Sequence, residues 1–237
     1  MTTASRSTSA DGRSIAVVAD SHLGGPGGEG RDLVEQLRAL PAQGCRHLVL
    51  LGDIFHVWVG SQKFETEEVR RVVPEIRALR AAGLRVDYVE GNRDFFLDRG
   101  PYADAFDSIV RELPLTLADG RRALAVHGDG LNDDDWRYRF WRWLSKSSPA
   151  RALVLGLPGP IARRAVAGTE ERLAQTNFKH RDAIPEAAIR AYARRRLAEG
   201  YDRLLLGHFH EPHRFDEGTG EIHLLDAWFR SRRVEWV

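Results

Sequence analysis

Five short apolar runs along the chain each stop at a cluster of polar residues. The runs occupy residues 15–19, 48–51, 86–89, 124–126 and 204–206. Runs of this length that end at glycine or another turn residue are typical of buried strands. The polar clusters that follow them lie at residues 20–22, 52–53, 91–94, 127–129 and 207–210. We therefore expect five strands that deliver polar side chains to one edge of a sheet.

Helical periodicity fills the gaps between the first three runs. Apolar residues recur at helical spacing over residues 31–40 and again over residues 65–82. The resulting order β-α-β-α-β predicts a partly parallel sheet with ligands at its carboxyl edge. After residue 110 the pattern changes to strands at 113–117 and 121–126, a helix at 184–197, and strand-like stretches at 221–225 and 232–236. The predicted fold class is therefore α/β.

The polar clusters supply oxygen and nitrogen ligands and no thiolate. The candidates are Asp20, His22, Asp53, Asn92, His127, His208 and His210. This mixture suits two divalent ions of the Mn, Fe or Zn type that share a carboxylate. Each cluster alone has a simpler explanation, because a glycine–aspartate pair is usually a turn and a buried histidine usually belongs to a hydrogen-bonded core. Five clusters in the same strand–loop context favour the metal interpretation.

Two clusters carry more specific patterns. Residues 52–60 have the sequence Gly-Asp-Ile-Phe-His-Val-Trp-Val-Gly, and residues 91–95 have Gly-Asn-Arg-Asp-Phe. In these motifs the chain resembles the calcineurin-like metallophosphoesterase superfamily and, more closely, the UDP-2,3-diacylglucosamine diphosphatases of lipid A synthesis. The resemblance runs from about residue 15 to the end. It implies a four-layer α/β/β/α sandwich with a helical cap inserted at about residues 131–180.

The resemblance also implies how the ligands divide between two ions, for which we expect Mn2+. The first site would contain Asp20, His22, Asp53 and His210, and the second would contain Asp53, Asn92, His127 and His208. Asp53 would bridge the ions, because a carboxylate carries charge and two oxygens. His208 and His210 would point the same way if extended, so each would face a different ion. A hydroxide between the ions would be the nucleophile.

Arg93 stands where many superfamily members carry a histidine that is often assigned as the leaving-group acid. Its planar, permanently charged fork would suit a second phosphate, and the alternative is a surface arginine paired with an acid. Two interpretations stay open for Asp94 and Asp129, either acceptors for ligand histidines or turn caps. The catalytic candidates are Asp53, Asn92, Arg93 and His127. The substrate contacts implied by the resemblance are Asn92, Arg93, Asp135, Tyr138, Asn177, Lys179 and His208.

Residues 136–169 combine seven basic side chains and no acidic one with interleaved aromatic residues. One interpretation is an amphipathic helical hairpin with its aromatic residues inward and its arginines outward. The other is a lid that covers acyl chains with its apolar side and meets anionic phospholipid with its basic side. The two are compatible, and nucleic-acid binding ranks below both because no known motif accompanies it. Phe209 and Glu211 depart from the family, which usually has Thr and Arg there.

Composition sets the remaining expectations. The chain has 237 residues, a formal net charge of +1 and 43% hydrophobic residues, which predicts one packed domain at 15–237 after a disordered tail at 1–14. Cys45 is the only cysteine, which suits a reducing cytosol. The first residues lack the apolar core of a secretory signal, and no stretch has the length of a spanning helix. We expect a cytoplasmic protein held peripherally at the inner membrane, with no nucleic-acid or protein partner implied.

The resemblance implies hydrolysis of UDP-2,3-diacylglucosamine to UMP and 2,3-diacylglucosamine 1-phosphate. A first alternative is a phosphodiesterase or phosphatase that acts on a soluble nucleotide with the same metals. A second is a non-catalytic scaffold, since some members of this fold, such as a retromer subunit, serve that role. All seven ligand positions are filled here, which argues against the scaffold.

Overall fold

The computed structural model describes residues 14–25, 28–131, 136–159, 161 and 184–237, with the backbone alone at 136–139. Its first sheet contains β1 (Ile15–Val18), β2 (His47–Leu51), β4 (Arg85–Val89), β6 (Ser108–Val110) and β12 (Glu235–Trp236), in the order β12-β1-β2-β4-β6. The pairs from β1 to β6 are parallel, and β12 runs antiparallel to β1. Two short strands, β3 (Trp58–Val59) and β5 (Asp94–Phe95), pair beside this sheet.

The second sheet is mixed. It contains β7 (Glu112–Thr116), β8 (Arg122–Val126), β9 (Arg203–Leu206), β10 (His213–Glu217) and β11 (Gly220–Leu224), in the order β10-β11-β9-β8-β7. Strands β7 and β8 form the predicted antiparallel pair, whereas β9 lies parallel to both β8 and β11. The apolar runs of β2, β4, β8 and β9 therefore occupy central positions, where a strand is buried on both faces.

Helices cover the outer face of each sheet and complete four layers. Helices α1 (Arg31–Ala39) and α2 (Glu67–Ala81) pack with the outer face of the first sheet in one apolar core. Helix α5 (Glu186–Ala198) packs on Leu204 and Leu206 of the second sheet, while Leu205 points into the core between the sheets. The alternation follows from the two-residue repeat of a strand. The predicted four-layer α/β/β/α sandwich is therefore confirmed.

The end of the chain departs from its predicted pattern. Residues 232–236 were expected to form a strand, but only Glu235–Trp236 pairs with β1, and a short helix, α6 (Trp228–Ser231), precedes it. The indole of Trp228 is fully buried, and its Nε1 donates to Oε1 of Gln36 at 2.9 Å. Because this contact joins Trp228 to a residue far away in the sequence, local alternation of apolar residues does not predict it, and the helix forms where the pattern is strand-like.

The predicted cap at residues 131–180 is described only in part. Two helices occupy that part, α3 (Trp136–Ser145) and α4 (Ser148–Gly156). The assignment of a cap, like that of a tail at 1–14, therefore stays a prediction. Within the described residues, no helix is both long enough and apolar enough to cross a bilayer.

Candidate metal centre

Five of the seven candidate ligands have a left-handed backbone. The φ angles are 50° at Asp20, 46° at His22, 52° at Asp53, 68° at His208 and 61° at His210. Positive φ is uncommon for residues other than glycine, and such strain collects at functional sites. The loops turn sharply after each strand and aim these side chains at one region. The condition under which His208 and His210 would point the same way, an extended backbone, is therefore not met, because left-handed residues do not follow the alternation of a strand.

A first group of ligand atoms forms at the end of β1. Asp20, His22 and His210 place one potential ligand atom each within 4.8 Å of the others. The Nε2 atoms of the two imidazoles are 3.2 Å apart, and Oδ1 of Asp20 lies 3.3 Å from Nε2 of His210 and 3.8 Å from Nε2 of His22. The ring of Phe229 packs against both imidazoles, with centroids 5.5 Å and 5.2 Å away. Three potential ligand atoms thus converge beside the aromatic ring of Phe229.

A second group shares Asp20 with the first. Asp20, Asp53 and His127 bring their ligand atoms within 4.8 Å of one another. Nε2 of His127 lies 3.5 Å from Oδ2 of Asp53 and 3.3 Å from Oδ1 of Asn92. Nδ1 of His127 lies 3.0 Å from the carbonyl oxygen of Leu51, which can accept a hydrogen bond from Nδ1–H and leave Nε2 facing the carboxylates. The second group therefore contains two of the four ligands predicted for the second ion, Asp53 and His127, and Asn92 lies beside them.

His208 is close to this second group. Its ring lies against that of His127, with centroids 5.2 Å apart, although it belongs to neither set of converging atoms among the described residues. Its backbone N–H donates to Oδ2 of Asp20 at 2.7 Å. His208 and His210 thus contact different oxygens of Asp20, one through its backbone N–H and the other through its ring. Their assignment to different ions stays a prediction.

The charges of the centre favour a bound cation. Burial raises the pKa of Asp20 and of Asp53, but His127 together with His210 at Asp20, and with His22 and Arg93 at Asp53, outweighs burial, so that both carboxyl groups have a lowered pKa. Burial lowers the pKa of His127, whereas Asp53 and Asp20 raise it, to about 10. Burial also lowers the pKa of His22 and of His208 to about 4. At neutral pH the carboxylates are ionised and these two imidazoles are neutral, the forms that bind metals, whereas His127 keeps a proton that a bound ion would displace.

Asp20 provides the direct test of whether the residues fit a metal. Its Oδ1 is buried and accepts no hydrogen bond of acceptable geometry from the described residues. Leaving a buried carboxylate oxygen without a partner costs free energy, unless a cation satisfies it. Carboxylate, amide and imidazole atoms around such an oxygen match the ligand preferences of Mn, Fe and Zn. The donor set therefore fits divalent metal binding.

Asp94 supports the ligand loops through their backbone. Its Oδ2 accepts hydrogen bonds from the N–H of Gly91 at 2.7 Å and from that of Asp53 at 3.2 Å. It thus joins the loop of Asp53 to the loop of Asn92. Of the two interpretations left open, the structure favours the turn-stabilising one at this position.

Arg93 lies directly beside the second group. Its side chain is 11% exposed, its Nε is 3.6 Å from Oδ2 of Asp53, and its Nη1 donates to the carbonyl oxygen of His56 at 3.1 Å. Its backbone N–H also donates to Oδ1 of Asp53 at 2.9 Å. The alternative interpretation of Arg93 as a surface arginine paired with an acid does not fit, because its guanidinium is largely buried and lies beside the candidate ligands.

Four of the predicted substrate contacts have side chains outside the described part of the chain. Asp135, Asn177 and Lys179 are outside the described residues, and Tyr138 is described only as a backbone position in α3. Their roles in substrate binding stay predictions.

Sequence reasoning missed residues that come from distant parts of the chain. Phe229 reaches the first group from the C-terminal segment, and Arg142 and Lys146 reach the loops of the second group from α3. No local motif marks any of them. The lone signal was the excess of basic residues after residue 136, which was assigned to a lipid surface instead.

Together, the sandwich and the carboxylate–imidazole loops at the ends of its strands define a metal-dependent hydrolase. The chain belongs to the calcineurin-like phosphoesterase family, whose model matches residues 13–212. It is 32% identical over 205 residues to the UDP-2,3-diacylglucosamine hydrolase of Ralstonia nicotianae, covering 79% of this chain and 73% of that protein. It is 29% identical to the enzyme of the same name from Chromobacterium violaceum, covering 78% of both chains. A third, from Neisseria meningitidis serogroup B, is 30% identical over 83% of this chain and 81% of its own.

Proposed function

We propose that the protein hydrolyses the pyrophosphate bond of UDP-2,3-diacylglucosamine, releasing UMP and 2,3-diacylglucosamine 1-phosphate. The observation that carries the proposal is the convergence of two groups of ligand atoms on Asp20, with the guanidinium of Arg93 beside them. The names of the relatives support the substrate class. Asp20, His22, Asp53 and His210 would hold one Mn2+ ion, and Asp53, Asn92, His127 and His208 the other.

Each residue has a defined task under this proposal. Bound divalent ions would supply Lewis-acid polarisation of the phosphoryl group and a water of lowered pKa. Asp53 and Asp20 hold negative charge in a buried centre, and each is oriented by a backbone N–H, from Arg93 and His208 respectively. The contact of His127 with the Leu51 carbonyl keeps its Nε2 facing the centre. The guanidinium of Arg93 binds the phosphoryl group that becomes the leaving phosphate.

The proposal is tested by a product assay with Mn2+. Purified protein is incubated with UDP-2,3-diacylglucosamine, and in parallel with UDP-N-acetylglucosamine, which has the same pyrophosphate without long acyl chains. We expect UMP and the lipid phosphate from the first substrate, with kcat/KM at least about 100-fold above that for the second. Each acyl methylene that the protein buries contributes about 0.8 kcal/mol to binding, so burial of a few of them accounts for a difference of about 100-fold. Equal rates on both compounds would instead support the soluble-nucleotide alternative.

Arg93→Ala should lower kcat/KM by about tenfold or more while two metal ions stay bound. The reason is the loss of a charge-assisted contact with phosphate worth about 1.5–3 kcal/mol. Steady-state kinetics and metal analysis of the same preparation measure both quantities. Arg93→Lys is the matched variant, since it keeps the charge and loses the planar fork. Unchanged kinetics in Arg93→Ala would remove the residue from the substrate site.

We also propose that the helices of the cap hold the protein at the cytoplasmic face of the inner membrane. In the described residues, every exposed large hydrophobic side chain lies between residues 140 and 161, with Phe140 54% exposed and Trp143 65% exposed. An apolar patch of this kind is expected to meet lipid or a partner. The acyl chains of the proposed substrate favour lipid.

The orientation of α3 changes how this attachment is expected to work. Phe140, Trp141 and Trp143 are exposed, and Arg142 pairs with Asp129 at 2.6 Å, so that this arginine is not directed at phospholipid. The interpretation with aromatics inward and arginines outward is wrong for these side chains. Apolar insertion therefore supplies more of the membrane affinity than the charge pattern suggested.

Replacing Phe140 and Trp143 together with serine should reduce partition onto phosphatidylglycerol-containing vesicles by about tenfold or more, because each buried ring contributes about 1.5–3 kcal/mol. Vesicle co-sedimentation at two salt concentrations measures the effect. Arg163→Glu with Arg164→Glu is the comparison for the electrostatic contribution, which salt should weaken. Equal partition of the parent protein onto neutral and anionic vesicles at low salt would contradict that contribution.

A further inference from the structure

Helix α3 turns a basic face toward the metal centre. Phe140, Trp143 and Leu144 are exposed, whereas the side chain of Arg142 is 19% exposed and that of Lys146 is 6% exposed. Lys146 directly follows α3, and its backbone N–H donates to the carbonyl oxygen of Arg142 at 3.2 Å, which continues the last helical turn. Residues four apart lie on one side of a helix. Arg142 and Lys146 therefore share the side that faces the sandwich, and Phe140, Trp143 and Leu144 lie on the other side.

Lys146 holds the peptide group that carries Asn92. Its Nζ donates to the carbonyl oxygen of Gly91 at 2.8 Å and lies 3.9 Å from Oε2 of Glu90. The Gly91 carbonyl belongs to the same rigid peptide plane as the N–H of Asn92. Fixing this carbonyl therefore restricts the direction in which the Asn92 side chain leaves the loop.

Arg142 holds the loop that follows His127. Its Nε lies 2.6 Å from Oδ2 of Asp129, whose side chain is only 3% exposed. Removing one member of a buried pair leaves an uncompensated charge, which makes this contact a strong constraint on the loop.

The first group of ligands has a different support. The N–H of Trp228 donates to the carbonyl oxygen of Ala19 at 2.9 Å, and Nη1 of Arg230 donates to the carbonyl oxygen of His210 at 3.0 Å. The C-terminal segment thus braces the loops of Asp20 and His210. Two separate elements, α6 and α3, therefore support the two halves of the centre.

We propose that Arg142 and Lys146 are positioning residues for the second metal ion, and that they make its binding depend on the seating of α3. The proposal rests on the proposed function for the presence of two ions. Both residues act through loop backbone and Asp129, and neither is a ligand. Residues that orient ligands typically change metal affinity by about 10-fold to 100-fold when they are replaced.

The test compares Lys146→Met with Arg151→Met. Arg151 also ties the cap to the sandwich, since its Nη2 donates to the carbonyl oxygen of Arg99 at 3.0 Å, but Arg99 is in no ligand loop. Titration of the metal-depleted full-length protein with Mn2+, followed by calorimetry and by the electron paramagnetic resonance signal of spin-coupled ion pairs, separates the two ions. We expect Lys146→Met to lower the affinity for one Mn2+ ion by about tenfold or more and to leave the affinity for the other within about twofold of the parent. The signal of spin-coupled ion pairs should decrease accordingly. Arg151→Met should bind both ions like the parent.

Two further variants guard against a purely structural effect. Lys146→Arg keeps a hydrogen-bond donor of comparable reach and should retain most of the Mn2+ affinity. Arg142→Met should lower the affinity for the same ion as Lys146→Met does. Thermal unfolding of each metal-depleted variant monitors folding. Loss of both ions together, or equal effects of Lys146→Met and Arg151→Met, would overturn the positioning role. A parent protein that binds a single ion would overturn this proposal and the two-metal function alike, whereas normal two-ion binding without pyrophosphate hydrolysis would overturn the function alone.

Discussion

Asp53→Ala should abolish turnover and reduce the bound metal from two ions per chain to at most one weakly bound ion. Asp53 is 1% exposed, lies in the second group of ligand atoms, and is the carboxylate expected to bridge. Without it, the two cations would repel each other with no shared anion between them. We expect kcat to fall by about 1,000-fold or more, the upper range for removing a group that stabilises transition-state charge. Activity assays with metal analysis of the dialysed variant measure both effects.

Asp20→Ala is the informative comparison for this variant. The motifs favour Asp53 as the bridge, but the structure places Asp20 in both groups of converging atoms. If Asp53 bridges, Asp20→Ala should lose the first ion and keep the second. The reverse pattern, with Asp53→Ala keeping one tightly bound ion and Asp20→Ala keeping none, would assign the bridge to Asp20. An active Asp53→Ala variant with full metal content would contradict the site as a whole.

Gly52→Ala should disable the centre by displacing His127. Gly52 has a φ of 74°, and a Cβ there would lie 2.5 Å from Nδ1 of His127 and 2.8 Å from the backbone nitrogen of Gly91. The imidazole cannot move aside without losing its contact with the Leu51 carbonyl. We expect a loss of kcat/KM of about 100-fold or more, since misplacement by about 1 Å has that effect. Kinetics and Mn2+ titration of the purified variant test this.

Gly44→Ala is the matched control. Gly44 has a φ of 84°, and a Cβ there would meet nothing within 4 Å. Both variants incur the left-handed backbone cost of about 1–2 kcal/mol, so thermal unfolding should register both. Only Gly52→Ala should also lose metal and activity. Equal activities of the two variants would show that the His127 loop adjusts to the added methyl group.

The apolar runs were sufficient to predict the strands and the α/β class, because burial on both faces leaves a local signature, whereas the four-layer sandwich was implied by the resemblance of the motifs. The runs at residues 48–51, 86–89 and 204–206 became β2, β4 and β9, all central strands. The helices at 31–40, 65–82 and 184–197 were confirmed within two residues at each end. Parts whose structure depends on distant partners were not predictable in this way, and α6 is the example.

The metal centre was likewise predictable from the sequence only in part. The sequence determined which side chains are present and that each follows a strand, because residue chemistry and hydrophobic periodicity are local properties. Only the tertiary structure decided that Asp20 belongs to both groups of ligand atoms, that Phe229 packs against two imidazoles, and that Arg142 and Lys146 point toward the ligand loops. These features depend on left-handed turns and on contacts between residues far apart in the chain. Periodicity carries no information about either, because a pattern of burial specifies the face of an element and not the partner that it meets.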